Sequence, residues 1–293
     1  LKNSFACINT SSCTSPMLRV LLSKIPSNSI RLQETTSLTL IHNKMPKYLG
    51  LVLSGLNYNF RVHKGRDLRA GEYPYVITII AIFKQEKMFF RTCTGSMISE
   101  TWVITAAHCL FSMYELVIQY DNFTISPFDS GCYVPIIDKF WHPGFRPYAG
   151  VDFGDIGLVR TKGVPRKPFA VLLAADYATL MGLPVVYVGG GMTNWTDNSD
   201  VDTGPLQVGE AIIIPCDEEM KNISRFLICL ASKCSNRLEN SMDGDSGGPL
   251  IYDGKVIGVC SGGPDNKIVA KTGYSPVSKF IDWIYHVMND PRA

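Results

Sequence analysis

The chain has 293 residues, of which 46% are hydrophobic and 18% charged, a composition that excludes a disordered chain and suits one large β domain or two barrels. A formal charge of +2 is too small to point to nucleic acid or another polyanion as partner, and no apolar run reaches the roughly 18 residues of a membrane span. Nine cysteines and four Asn-X-Ser/Thr triplets, at Asn9, Asn122, Asn194 and Asn222, favour an oxidising, extracellular setting.

Residues 11–39 are rich in Ser, Thr and Asn and show no sustained periodicity. Met45-Pro46-Lys47 then leads into the short apolar run from Tyr48 to Leu56. Two readings of that run stand side by side: a secretory signal, which would leave residues 1–44 outside the mature protein, or an apolar strand or helix within a pro-segment. From about residue 62 onward the pattern changes to short β-branched and aromatic runs broken by Gly, Pro, Asn and Asp. Val76–Ile82, Trp102–Thr105, Leu116–Tyr120, Val185–Val188, Ala211–Ile214 and Lys255–Val259 each read as a strand. Regularly spaced short strands of this kind predict a sandwich or barrel. Near the C-terminus, Ser278–Met288 reads as a helix, with Phe280, Ile281, Trp283, Ile284 and Val287 on its apolar face.

Three motifs carry chemistry. Thr105-Ala106-Ala107-His108-Cys109 supplies a histidine. Asp155-Ile156-Gly157-Leu158-Val159-Arg160 supplies a carboxylate. Asp243-Gly244-Asp245-Ser246-Gly247-Gly248-Pro249 supplies a serine between glycines that let the backbone turn sharply. A serine hydroxyl is a weak nucleophile at neutral pH; it needs a base to take its proton and donors to hold the oxyanion it creates. His, Asp and Ser in this chain order form a base, orienter and nucleophile set. On these motifs the chain resembles the trypsin/chymotrypsin family of serine endopeptidases, over residues 62–293.

The resemblance implies an all-β fold of two packed six-stranded antiparallel barrels with a C-terminal helix, and a site in the cleft between the barrels. Residues 1–61 would then be an N-terminal pro-segment. Ser246 would be the nucleophile, His108 the general base and Asp155 the residue that orients the imidazole. Asp152 competes for the last role, but the family pattern matches from Asp155. The N–H groups of Gly244 and Ser246 match the oxyanion hole. Arg61 followed by Val62 and Gly65 matches a zymogen cleavage site, with Lys64 in place of a usual glycine. The new amine of Val62 would pair with Asp245. His63, His142 and His286 fall in no matching motif.

Substrate contacts are implied for Ser261 and Gly263, on the strand where a substrate backbone docks. Gly262 and Gly190 stand where tryptophan is common, which implies a more open cleft wall. Counting back from Ser246 puts Asn240 at the base of the primary pocket and Ser241 beside it, with Thr272 in its wall. An uncharged base disfavours cleavage after Lys or Arg, because an unpaired guanidinium is costly to desolvate; Glu239 lies one position away and could restore a charge. Cys93 pairs with Cys109 and Cys216 with Cys229 in the family pattern. Met242 replaces a usual cysteine, so a Cys234–Cys260 bridge is one alternative, leaving Cys132 with Cys7 or Cys13. The resemblance implies no cofactor and no metal. Its partners would be protein or peptide substrates, an activating protease and protein inhibitors. A competing reading is a non-catalytic homologue that binds a protein partner through the cleft.

Overall fold

The computed structural model describes residues 65–83, 88–146, 154–165, 168–190, 203–232, 244–262 and 272–291. All of them belong to one compact unit, Tyr58–Ala293. The first barrel is built from β2 (Val76–Phe83), β3 (Met88–Met97), β4 (Trp102–Thr105), β5 (Glu115–Gln119), β6 (Tyr133–Trp141) and β7 (Gly157–Thr161), and β1 (Arg66–Asp67) precedes it in the chain. Its strands close in the order β2-β3-β4-β7-β6-β5. Every neighbouring pair is antiparallel, and a register shift between Ile79 and Ile80 on β2 marks a bulge that helps the sheet curl. The β-branched runs supply the interior: Ile77, Ile79, Ile104, Ile118 and Leu158 are all fully buried. Burying each such side chain contributes about 1.5–3 kcal/mol relative to exposure.

The second sheet contains β8 (Pro184–Gly189), β9 (Gln207–Ile214), β10 (Ile228–Ser232), β11 (Pro249–Tyr252), β12 (Lys255–Gly262) and β13 (Gly273–Pro276). Its order is β1-β9-β10-β13-β12-β11-β8, and β8 pairs back onto β9. Six strands therefore close on themselves, and β1 is a short seventh attached to β9 through Arg66↔Val208 and Asp67↔Gln207. Val185, Tyr187, Ile213, Ile228, Leu250, Ile257 and Tyr274 form the core of this sheet. The expected double-barrel architecture is present. Among the described residues three short α-helices accompany it: α1 (Pro127–Ser130), α2 (Glu218–Ile223) and α3 (Ile281–Asn289). None of the described helices is long and apolar enough to cross a membrane.

The C-terminal helix differs from the reading of one segment over Ser278–Met288. A 3₁₀ turn over Val277–Lys279 comes first, Phe280 breaks it at φ −118°, and α3 runs from Ile281. Phe280 and Ile284 are buried, and Ile281, Trp283 and Val287 pack beside them on the main core. His142 ties this end of the chain to the first barrel: its ring lies 4.9 Å from that of Phe280 and 5.4 Å from that of Trp283. Burial lowers its pKa, which keeps the ring neutral and free to accept the Gly144 N–H at Nδ1, 3.0 Å away.

Candidate active site

His108 opens a single 3₁₀ turn, His108–Leu110, immediately after β4 and two alanines. The disulfide Cys93–Cys109 anchors that turn to β3. Asp155 sits just before β7, the neighbour of β4, so the sheet register carries the carboxylate to the histidine. The main-chain N–H of His108 donates to Asp155 Oδ1 at 2.9 Å, and ring Nδ1 lies 2.7 Å from Oδ2. Asp155 is 3% exposed. A third donor comes from the second barrel: the hydroxyl of Ser261, on β12, reaches Oδ2 at 2.6 Å. With a carboxylate at Nδ1, the stable neutral tautomer carries its proton there and leaves Nε2 as an acceptor. Ser261, expected on the strand where a substrate backbone docks, turns its side chain to Asp155, a bond that leaves its main chain available for that role. The two residues are 106 positions apart, and no local pattern announces the bond.

Ser246 lies half-buried in the turn that enters β11. Gly244 and Gly247 on either side have φ of +91° and +81°. At Gly247 a β-carbon would also run into the Thr105 hydroxyl and the Thr94 carbonyl, so the position admits glycine alone. The turn is held from both sides. Ser246 carbonyl accepts the Thr94 N–H of β3 at 2.8 Å, and Gly247 N–H donates to the Cys260 carbonyl of β12 at 2.7 Å. Asp245 is 2% exposed, and its carboxylate lies against the bare α-carbon of Gly189.

Thr272 is half-buried at the entry to β13. Gly262, at φ +107°, has open space where a β-carbon would stand. Arg61, Val62, Asn240, Ser241 and Gly263 lie outside the described residues, as do Cys7, Cys13, Cys234, Asp152, Glu239 and Met242. Cys216 and Cys229 are joined in a disulfide. Cys260 is buried on β12, and Cys132 is half-buried with the Asn122 amide nitrogen 3.4 Å from its sulfur. Among the described residues, Cys93, His108 and Cys109 form the one group whose ligand-type atoms cluster within 4.8 Å. Both sulfurs are consumed by the disulfide, so no thiolate is left there to bind a metal.

The Trypsin family model matches residues 62–284. The chain belongs to the trypsin family. As a member of that family it is a serine-type endopeptidase, and proteins or peptides are its substrates. Among relatives, it is similar to brachyurin from Leptuca pugilator, 31% identical over 215 residues that cover 68% of this chain and 88% of that protein. The trypsin-family fold is also seen in solved structures. Neuropsin, a serine protease expressed in the limbic system of mouse brain, aligns with a TM-score of 0.61 at 22% identity, covering 77% of this chain and 99% of that one. The scabies mite inactivated protease paralogue S-I1 aligns with a TM-score of 0.62 at 20% identity, covering 76% and 98%.

Proposed function

We propose that this trypsin-family protein is a secreted endopeptidase, made as a zymogen, that cleaves peptide bonds through an acyl-enzyme on Ser246. The observation that carries the reading is the bond set around Asp155, which leaves His108 Nε2 as a proton acceptor. His108 takes the Ser246 proton as Oγ attacks the substrate carbonyl, then returns it to the leaving amine. Asp155 stabilises the imidazolium formed in between. Gly244 and Ser246 N–H groups bind the oxyanion, an interaction worth about 10²–10³ in turnover per donor. Two disulfides and the exposed Asn122 of an Asn-Phe-Thr triplet support a secretory route. A fluorophosphonate probe tests the chemistry: after activation it labels Ser246 in the native protein and leaves Ser246→Ala unlabelled. A native, activated protein that does not label is a binding homologue, and the proposal fails.

The primary pocket is polar and uncharged, with Asn240 at its base, Ser241 beside it and Thr272 in its wall. Gly262 keeps the substrate-docking edge open, a reading supported by the free space beside it. An amide dipole does not offset a buried guanidinium, so cleavage after Lys and Arg is weak. Asn240→Asp is expected to raise kcat/KM for Arg substrates about tenfold or more. A native enzyme that already prefers Arg, and is indifferent to this change, puts the pocket elsewhere.

A further inference from the structure

Thr94 is fully buried on β3, in the first barrel, yet all of its polar atoms are engaged and most of them reach the second. Its N–H donates to the Ser246 carbonyl at 2.8 Å. Its hydroxyl donates to the Gly244 carbonyl at 2.8 Å and accepts the Gly190 N–H at 3.0 Å. Its carbonyl accepts the Thr105 hydroxyl at 2.8 Å, at the end of the strand that leads to His108. One residue thus links the Ser246 turn, the glycine segment that faces Asp245 and the His108 strand.

Gly244 is where such an anchor matters. At φ +91° it has no β-carbon to restrict it, and glycine loses more freedom on ordering than any other residue. Nothing within Gly244 itself fixes the direction of its peptide planes. The Thr94 hydroxyl fixes its carbonyl, and the Thr94 N–H fixes the carbonyl of Ser246 two residues on. With both carbonyls pinned, the backbone between them is constrained, and with it the direction of the Ser246 N–H, which lies inside that stretch. Gly190, whose N–H the hydroxyl accepts, is itself buried and close-packed rather than part of an open cleft wall. A β-carbon there would stand 2.7 Å from Thr78 Cγ2 and 2.9 Å from Leu206 Cδ2, so the space is already filled by small neighbours.

We propose that the Thr94 hydroxyl is a positioning group that sets the oxyanion-binding conformation of the Gly244–Ser246 turn. The inference rests on reading the Gly244 and Ser246 N–H groups as the oxyanion hole. Pre-set donors cost no reorganisation in the transition state, so losing the anchor falls on kcat rather than on substrate affinity.

The test uses the activated protein and four variants: Thr94→Val, Thr94→Ser, Thr94→Ala as a substitute for the first, and Ser246→Ala. Thr94→Val keeps the shape and removes the hydroxyl; Thr94→Ser keeps the hydroxyl and removes the methyl. Thr94→Val is expected to lower kcat about tenfold with KM within about twofold, and to slow fluorophosphonate labelling in proportion. Thr94→Ser restores both to within about threefold of native. The pH–rate profile of Thr94→Val keeps its native midpoint, because the His108–Asp155 pair is untouched. Native kcat in Thr94→Val, a loss confined to KM, or equal losses in Thr94→Val and Thr94→Ser each overturn the proposal. If Thr94→Val does not fold, Thr94→Ala takes its place, and Thr94→Ser as impaired as Thr94→Ala is the overturning result. Ser246→Ala separates this from the underlying reading: turnover that survives there removes the oxyanion-hole assignment itself, whereas its loss beside a native-like Thr94→Val removes only the role of Thr94.

Discussion

Asp155→Asn is expected to reduce turnover by about 10⁴, by the precedent of aspartate removal from this kind of triad. The geometry explains why an isosteric change does so much. Three donors converge on the two carboxylate oxygens: the His108 N–H, the His108 ring Nδ1–H and the Ser261 hydroxyl. A carboxylate accepts from all of them. An amide has one oxygen and one NH₂, and the NH₂ accepts nothing. If it faces the imidazole, Nδ1 must become the acceptor and the ring proton moves to Nε2, where it blocks removal of the Ser246 proton. If it faces the main chain instead, two donors confront each other in a buried space, which costs about 1–3 kcal/mol. The first arrangement avoids that clash, so the wrong tautomer is the expected outcome. Steady-state kinetics on a peptide substrate check it, with binding of a substrate-like inhibitor as control. A loss of less than tenfold sinks the assignment of Asp155, and Asp152 would then be the next residue to substitute.

How far the sequence is legible depends on whether the signal is local. Trp102–Thr105 reads as a strand from four residues and is one, because a β-branched and aromatic run with buried neighbours on both faces has little alternative. The C-terminal helix is legible from its apolar spacing, but its start is not, since Phe280 leaves helical geometry and no propensity marks that. β1 is two polar residues, Arg66 and Asp67, and exists only because β9 offers an edge. Closure of the second sheet through β8 and β9 is likewise a long-range event. The same division runs through the site. Motifs draw attention to His108, Asp155 and Ser246 because each is embedded in a distinctive short run. Thr94 and Ser261 act on partners 150 and 106 residues away, through bonds that only the fold creates. Thr94 in particular looks like any β-branched residue in a strand.

Conversion of the proposed zymogen is the other large expected effect. With the Arg61–Val62 bond intact, as in Arg61→Gln, activity is expected to fall about 10²–10³ below that of the cut enzyme. Asp245 is the reason. It is 2% exposed, it immediately precedes Ser246, and its main-chain carbonyl accepts the Gly248 N–H at 2.9 Å. Its carboxylate lies against Gly189, where any β-carbon would collide with it. The conformation of the Ser246 turn and the burial of this carboxylate are therefore one event. A buried carboxylate is costly unless a cation reaches it, and losing the partner of such a pair costs about 3–5 kcal/mol. At about 1.4 kcal/mol per tenfold, that spans the predicted range. Cleavage after Arg61 creates an α-amino group on Val62 that can supply the cation; the intact chain has a neutral peptide N–H at the same atom. N-terminal sequencing of the active form is the direct check, with Val62 expected as the first residue. Asp245→Asn in the cut enzyme is expected to lose activity on the same scale, since the amide offers the amine no charge. Full activity in Arg61→Gln, or an active chain that begins at another residue, would show that the turn is ordered by some other means.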